Sequence, residues 1–133
     1  MTTPRFAFLV HDERLAIARL PPDAPVPAWV RGRFTNIART PSELSIVCAQ
    51  VNVPRGTQHE RDKIALGIEG VVSMTSIGIL AALCATLAAS QVPVFVISTY
   101  DTDWLLVSAD RFDAARTALE AAGHTILGEL PAS

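Results

Sequence analysis

The chain has 133 residues, of which 50% are hydrophobic, and a formal net charge of −2. This composition is enough to bury a core in one compact domain or two small packed units, and it excludes a disordered chain. The 11 basic and 13 acidic residues are mixed along the sequence, so no electropositive surface for nucleic acid is expected.

The sequence also argues against a membrane protein. The longest apolar window, at residues 77–97, is interrupted by polar residues and by Pro93, which makes it unsuited to crossing a bilayer. The N-terminus lacks the pattern of a secretory signal. We therefore expect a soluble cytoplasmic protein with no membrane contacts. Cys48 and Cys84 lie inside apolar runs, as is typical of buried unpaired thiols.

The first half of the chain is predicted to be mostly β-structure. Residues 6–10 and 14–20 have strand-like sequences separated by three polar residues, which indicates a hairpin. The stretch PPDAPVP, residues 21–27, predicts an extended connection followed by one helical turn. Two further strands are expected at residues 33–40 and 43–49.

The second half is predicted to alternate strands with two helices. Isoleucines and leucines recur at helical spacing in residues 77–90, with alanines on the other faces. A second apolar stripe consists of Phe112, Ala115, Leu119 and Ala122. With strands at residues 63–68, 92–98, 103–108 and 125–127, the order is βαββαβ. This is the ferredoxin-like arrangement, with both helices on one face of the sheet.

Polar residues and one glycine mark the expected helix ends. Ser76 or Thr75 is expected to cap the first helix. Asp110 is expected to cap the second, with Asp113 as its partner at the third helical position. Gly123 is expected to end that helix.

The stretch GVVSMTSIGILAALCATLAASQVPVFVISTYDTDWLLV, residues 70–107, followed by a helix and AAGH, resembles an ACT domain, a small regulatory module that binds amino acids and other effectors. STYDTD is specific within that superfamily. More narrowly, the chain is similar to ACT-like proteins whose pattern ends in ISTYDTDY-LV, and to the tandem CASTOR-type arginine sensors.

The resemblance implies an α+β fold of tandem ferredoxin-like ACT units. The N-terminal unit, residues 1–60, is degenerate: its ELSIVC is similar to the family's strand, but its first helix has shrunk to the PAWVRG turn. Residues 61–133 form the ACT domain. The sequence departs from the family at residues 71–74, where related sequences often carry Pro-Leu-Asp-Phe.

The segment STYDTD, residues 98–103, is the candidate ligand site. An α-amino acid needs one fixed anion for its ammonium and a cluster of donors for its carboxylate. Asp103 can supply the anion, and the N–H groups at the start of the helix near Ile77 can supply the donors. Carried over from the family, the resemblance implies ligand contacts at Ile77, Gly78, Ile79, Thr99, Tyr100 and Asp103.

These features predict a non-catalytic regulatory or sensor protein whose partner is a free amino acid or a related small effector. No catalytic residue, cofactor or metal site is expected, because the histidines and cysteines lack metal-ligand spacing and no nucleophile or phosphate-loop motif is present. A homodimer is expected because residues 92–98 and 103–108 are apolar on both strand faces.

Other interpretations also fit parts of the sequence. A structural dimerisation module without an effector requires only the apolar sheet faces. An acylphosphatase-like hydrolase would use VRGRF, residues 30–34, as its phosphate loop and Asn36 to orient water, although this loop follows a proline-rich connector instead of the first strand. Asp101 and Asp103 can also be interpreted as turn residues alone, because aspartate side chains bond nearby backbone.

Overall fold

The computed structural model describes residues 4–73 and 75–133. Met74, part of the stretch where the sequence departs from the ACT pattern, lies outside the described residues. The elements in chain order are β1 Ala7–Val10, β2 Leu15–Leu20, β3 Asn36–Arg39, β4 Leu44–Ala49, a 3₁₀ turn Gln50–Asn52, β5 His59–Ile68, α1 Ile79–Ala89, β6 Phe95–Ser98, β7 Asp103–Ser108, a 3₁₀ turn Ala109–Arg111, α2 Phe112–Ala121 and β8 Thr125–Leu127. Neither of these two helices has the length and hydropathy needed to cross a membrane.

The chain divides into two compact units. The C-terminal unit comprises residues 4–12 and 64–131, and the N-terminal unit comprises residues 13–63 and 132–133. Strand β1 belongs to the C-terminal unit, although it precedes the N-terminal unit in the sequence.

The C-terminal unit contains the predicted βαββαβ order, formed by β5, α1, β6, β7, α2 and β8. The mixed α+β, ferredoxin-like fold class is thus confirmed. Strand β1 adds to this order: it pairs antiparallel with β5 and parallel with β8, so it lies between them.

The predicted hairpin of the first two strands is wrong. Strand β1 pairs with β5 and β8, whereas β2 pairs with β4 and β5. The four residues between β1 and β2, His11–Asp12–Glu13–Arg14, contain no glycine or asparagine of the kind that a tight two-residue hairpin loop favours. The partners of β1 are distant in sequence, which a local pattern does not reveal.

Both helices pack against one face of the C-terminal sheet. Leu83 and Leu87 of α1 share a buried cluster with Phe112, Ala115 and Leu119 of α2. Alternate residues of the strands complete this cluster, namely Phe8, Ile64, Leu66, Ile68, Leu105, Val107 and Ile126. Because successive strand side chains point to opposite faces, this spacing of two places the helices on the same side.

Helix α2 differs from expectation at its N-terminus but not at its C-terminus. The N-cap position is held by Arg111, and no described side chain caps the helix, so the predicted capping by Asp110 with Asp113 is wrong. Asp110 lies instead inside the preceding 3₁₀ turn. Gly123 does end the helix: it has φ 98°, and the next residue, His124, donates its N–H to the Leu119 carbonyl at 3.0 Å, the bond of a Schellman motif.

The N-terminal unit is an antiparallel sheet in the order β3–β4–β2, followed by residues 59–63 of β5. Its buried cluster includes Leu44, Ile46 and Cys48 of β4, and burial raises the pKa of the Cys48 thiol. Ala24 of the proline-rich segment and, after it, Trp29 and Val30 pack against this cluster.

A β-bulge in β5 is fixed by a buried amide. The β2–β5 register shifts between Leu15 and Ile17, and Asp62 has φ 59°. Buried Gln50 accepts the Asp62 N–H at 2.7 Å and donates to its carboxylate at 3.2 Å, while Arg14 donates to the same carboxylate at 3.1 Å. The Gln50 bond, aided by Arg14, lowers the pKa of Asp62.

Candidate functional site

A cavity of about 320 Å³ lies in the C-terminal unit, between the start of α1 and the turn that joins β6 to β7. This volume is at the lower end of the range for small-molecule sites. Three segments contribute side chains: the loop before α1, the first turn of α1, and the β6–β7 connection. The lining residues are Val72, Ser73, Ser76, Gly78, Ile79, Leu80, Ala81, Ser98, Thr99, Thr102 and Asp103.

Helix α1 presents an uncapped N-terminus to this cavity. Its N-cap is Gly78, in the left-handed conformation with φ 85° and ψ −7°, and no described side chain caps it. The Gly78 carbonyl accepts the N–H of Ala82 at 3.0 Å. The preceding N–H groups, those of the first turn, have no partner within the helix and carry the positive end of its dipole.

The predicted capping by Ser76 or Thr75 is therefore wrong. These residues take part in a local turn, in which Ser76 donates its N–H to the Ser73 carbonyl at 3.0 Å. The Ser73 and Thr75 hydroxyl oxygens lie 2.8 Å apart in a hydrogen bond. Helix α1 begins at Ile79, later than the predicted residue 77. An uncapped start leaves the first-turn donors available to an anion.

The β6–β7 connection is held in shape by its own hydrogen bonds. Thr99 donates its N–H to the Thr102 carbonyl at 2.8 Å, and its hydroxyl donates to the same oxygen at 3.1 Å. The Thr102 hydroxyl donates to the Ile68 carbonyl at 3.0 Å. The Asp101 carbonyl accepts the N–H of Val72 at 2.7 Å, which ties the loop before α1 to this turn.

Asp103 faces Ser98 across the β6–β7 ladder. The two residues are Cα partners at the last pair of the ladder, and the Ser98 hydroxyl donates to Asp103 Oδ1 at 2.6 Å. Asp103 is half-buried, and Ser98 is exposed. A carboxylate accepts about four hydrogen bonds, so Asp103 retains acceptor capacity toward the cavity.

The structure brings four of the six predicted contact residues to this cavity, namely Gly78, Ile79, Thr99 and Asp103. The other two lie outside the lining: Ile77 is 96% exposed and Tyr100 is 83% exposed. Asp101, interpreted from the sequence as turn chemistry, is also exposed and outside the lining.

Sequence reasoning did not name four further hydroxyl-bearing residues that line the cavity, namely Ser73, Ser76, Ser98 and Thr102. Ser98 and Thr102 belong to the STYDTD segment, so their closeness to Asp103 in the sequence could have identified them as cavity residues. Ser73 and Ser76 lie in a loop with no periodicity, and nothing in the sequence indicated their orientation.

Two family models match the chain. The ACT domain family matches residues 58–121, and a family of N-terminal domains matches residues 13–56. No curated protein sequence matches the chain.

Solved structures share the fold over most of the chain. Protein Atu0741 from Agobacterium tumefaciens is 30% identical, with a TM-score of 0.90 and coverage of 98% of both chains. The regulatory subunit of aspartate kinase from Thermus thermophilus is 14% identical, with a TM-score of 0.60, over 86% of this chain and 97% of that one. Aspartate kinase from Clostridium acetobutylicum, described as an allosteric enzyme, is 10% identical, with a TM-score of 0.64, over 85% of this chain and 34% of that one.

Proposed function

Because the chain belongs to the same family as Atu0741 and carries an ACT domain at residues 58–121, we propose that it is a non-catalytic regulatory or sensor protein that binds a free amino acid or a related small effector. The observation that carries this proposal is the cavity in which a carboxylate lies opposite an uncapped helix N-terminus. A zwitterion needs these two elements together.

In the proposed complex, Asp103 receives the ligand's ammonium. The first-turn N–H groups of α1 receive its carboxylate, since orphan donors and the helix dipole both favour an anion there. Gly78 lacks a Cβ, and open space lies where one would stand, so the backbone can be approached closely. Ile79 and Thr99 are the other residues carried over from the family that line the cavity.

The fold comparison supports a regulatory role. One solved structure with this fold is described as a regulatory subunit and another as an allosteric enzyme, and both are aspartate kinases. A chain of this kind acts by binding its effector and changing its interaction with another protein or another copy of itself. We propose that the protein acts in the cytoplasm, where free amino acids are available. We also propose that its two units correspond to the tandem units of CASTOR-type sensors.

A structural dimerisation module is the second candidate, and one observation favours it. Leu9 and Leu127 are Cα partners on adjacent strands, and they are 42% and 41% exposed. Such a pair of exposed apolar side chains is a feature of surfaces that meet a partner. This candidate shares the homodimer with the sensor proposal but requires no effector.

Thermal-shift screening against all proteinogenic amino acids and related metabolites separates the two candidates. A ligand present at about 100 times its dissociation constant adds about 2.7 kcal/mol to the free energy of unfolding, which is readily measured as a rise in Tm. The sensor proposal predicts such a rise for at least one amino acid. No rise with any compound at millimolar concentration would favour the dimerisation module.

A further inference from the structure

The β6–β7 side of the cavity offers hydrogen-bond acceptors instead of donors. The hydroxyl protons of Ser98, Thr99 and Thr102 are all donated to protein oxygens, at 2.6, 3.1 and 3.0 Å respectively. A hydroxyl that has donated its proton keeps its oxygen lone pairs as acceptors, of which Thr99 Oγ1 uses one for the Thr102 N–H at 3.4 Å. Together with the Asp103 carboxylate, these oxygens form a wall, here called the acceptor wall, that suits a group with several N–H donors.

The charge on the cavity lining is negative only. Among the described lining residues, Asp103 is the only one with an ionisable side chain, and no lysine, arginine or histidine lines the cavity. The remaining walls are hydroxyl-bearing or apolar, the latter including Val72, Leu80 and Ala81. The backbone donors available to an anion are the first-turn N–H groups of α1, which can serve one carboxylate.

From these two observations we infer that the cavity selects an amino acid with a primary ammonium and without an acidic side chain. The inference rests on the proposed function and specifies its ligand class. A primary ammonium brings three N–H donors, which match the several acceptors of the wall. N-methylation replaces donors with methyl groups and leaves acceptors without partners, and such unpaired groups are the main source of discrimination between close analogues.

An acidic side chain is excluded by a separate physical effect. Its carboxylate would enter a cavity whose helix N-terminus is already occupied and whose only ionisable side chain among the described lining residues, that of Asp103, repels it. A neutral amide of the same shape pays no such electrostatic cost. Discrimination should therefore be visible between isosteres that differ only in charge.

The experiment is calorimetric titration of the full chain with each proteinogenic amino acid, including the isosteric pairs asparagine and aspartate, and glutamine and glutamate. The expected tightest ligand has a neutral or basic side chain, with aspartate and glutamate weaker than that ligand by about tenfold or more. The N-methyl derivative of the tightest ligand is expected to bind more weakly than that ligand by a similar factor.

The variant Ser98→Ala removes one oxygen of the acceptor wall and should reduce the preference for the primary ammonium over its N-methyl derivative. Ser90→Ala, at the end of α1 and away from the cavity lining, is the matched control and should leave the preference unchanged. Tightest binding by an acidic amino acid, or equal binding of the N-methyl derivative, would overturn the inference while leaving the sensor function intact. Absence of binding by every amino acid would overturn the proposed function itself.

Discussion

At the scale of single residues, His124 is the clearest case of a side chain whose environment fixes its protonation. It is 6% exposed, its Nδ1 accepts the Phe6 N–H at 3.0 Å, and its ring stacks on Phe6 and meets Phe8 edge-on. Burial, together with the charge of Arg5, lowers the pKa of His124 below its ordinary value of 6.5. Protonation of Nδ1 would also remove its acceptor role.

This environment predicts a pH dependence of stability. The unfolded chain binds a proton on His124 at a higher pH than the folded chain does, so the unfolded state holds more protons as pH falls below about 6.5. The contribution of neutral His124 to stability is fully present above about pH 6.5, and the free energy of unfolding should decrease as the pH falls below about 6.5. Urea unfolding from about pH 7.5 to about pH 5.5 measures this loss. His124→Gln, which does not titrate, should lose less, and an identical pH dependence of the two proteins would contradict the assignment.

At the scale of elements, the start of α1 forms one side of the cavity. Gly78 has φ 85°, a conformation that side chains with a Cβ rarely adopt, although open space surrounds the position. Gly78→Ala should therefore cost about 1–2 kcal/mol of stability through the backbone alone, and it should weaken effector binding because the first-turn donors shift.

Gly70→Ala is the matched control for this substitution. Gly70 also has a positive φ, 87°, and open space around it, but it does not line the cavity. Chemical denaturation should show a similar loss of stability for both variants, whereas calorimetric titration should show reduced affinity for Gly78→Ala alone. Equal affinities of the two variants would mean that the helix start does not contact the ligand.

The elements also show which features a sequence can and cannot reveal. Strands β7 and β8 have the predicted bounds, because apolar runs between turn residues are a local signal. The predicted hairpin is wrong because the partners of β1 are more than fifty residues away in the sequence. The predicted cap of α1 is wrong because the N-cap position is a glycine at positive φ and not a residue with a hydroxyl. Asp103 was identifiable from the STYDTD segment, but the outward position of Tyr100 depends on the conformation of a turn.

At the scale of the whole molecule, the expected homodimer uses part of the sheet face opposite the helices. Ile97 and Leu106 on this face are 5% and 1% exposed, so these two side chains are buried within the chain. Leu9 and Leu127 lie on the same face, because Phe8 and Ile126 next to them point toward the helices, but they are exposed, and β8 is an edge strand. We therefore expect the C-terminal units of two copies to meet along β8.

Light scattering at micromolar concentration tests this expectation. The parent chain should have the mass of a dimer, and Leu127→Lys should be monomeric, because a charge placed in an apolar contact must be desolvated. Val51→Lys, which replaces an 81% exposed apolar side chain of the N-terminal unit, is the control and should stay dimeric. A parent chain that is monomeric at every concentration would refute the dimer.

The central claim is that Asp103 receives the ammonium of an amino-acid effector, and calorimetric titration of Asp103→Asn with the amino acid that scores in the screen tests it most directly. Removing this charge should weaken binding by about tenfold or more, as expected for loss of a charge-assisted hydrogen bond. Stability without ligand should change little, because Asp103 is half-buried and its partner Ser98 is exposed. Asp101→Asn, outside the lining, should bind as the parent does. Equal affinity of Asp103→Asn and the parent would contradict the account and leave STYDTD as a turn alone.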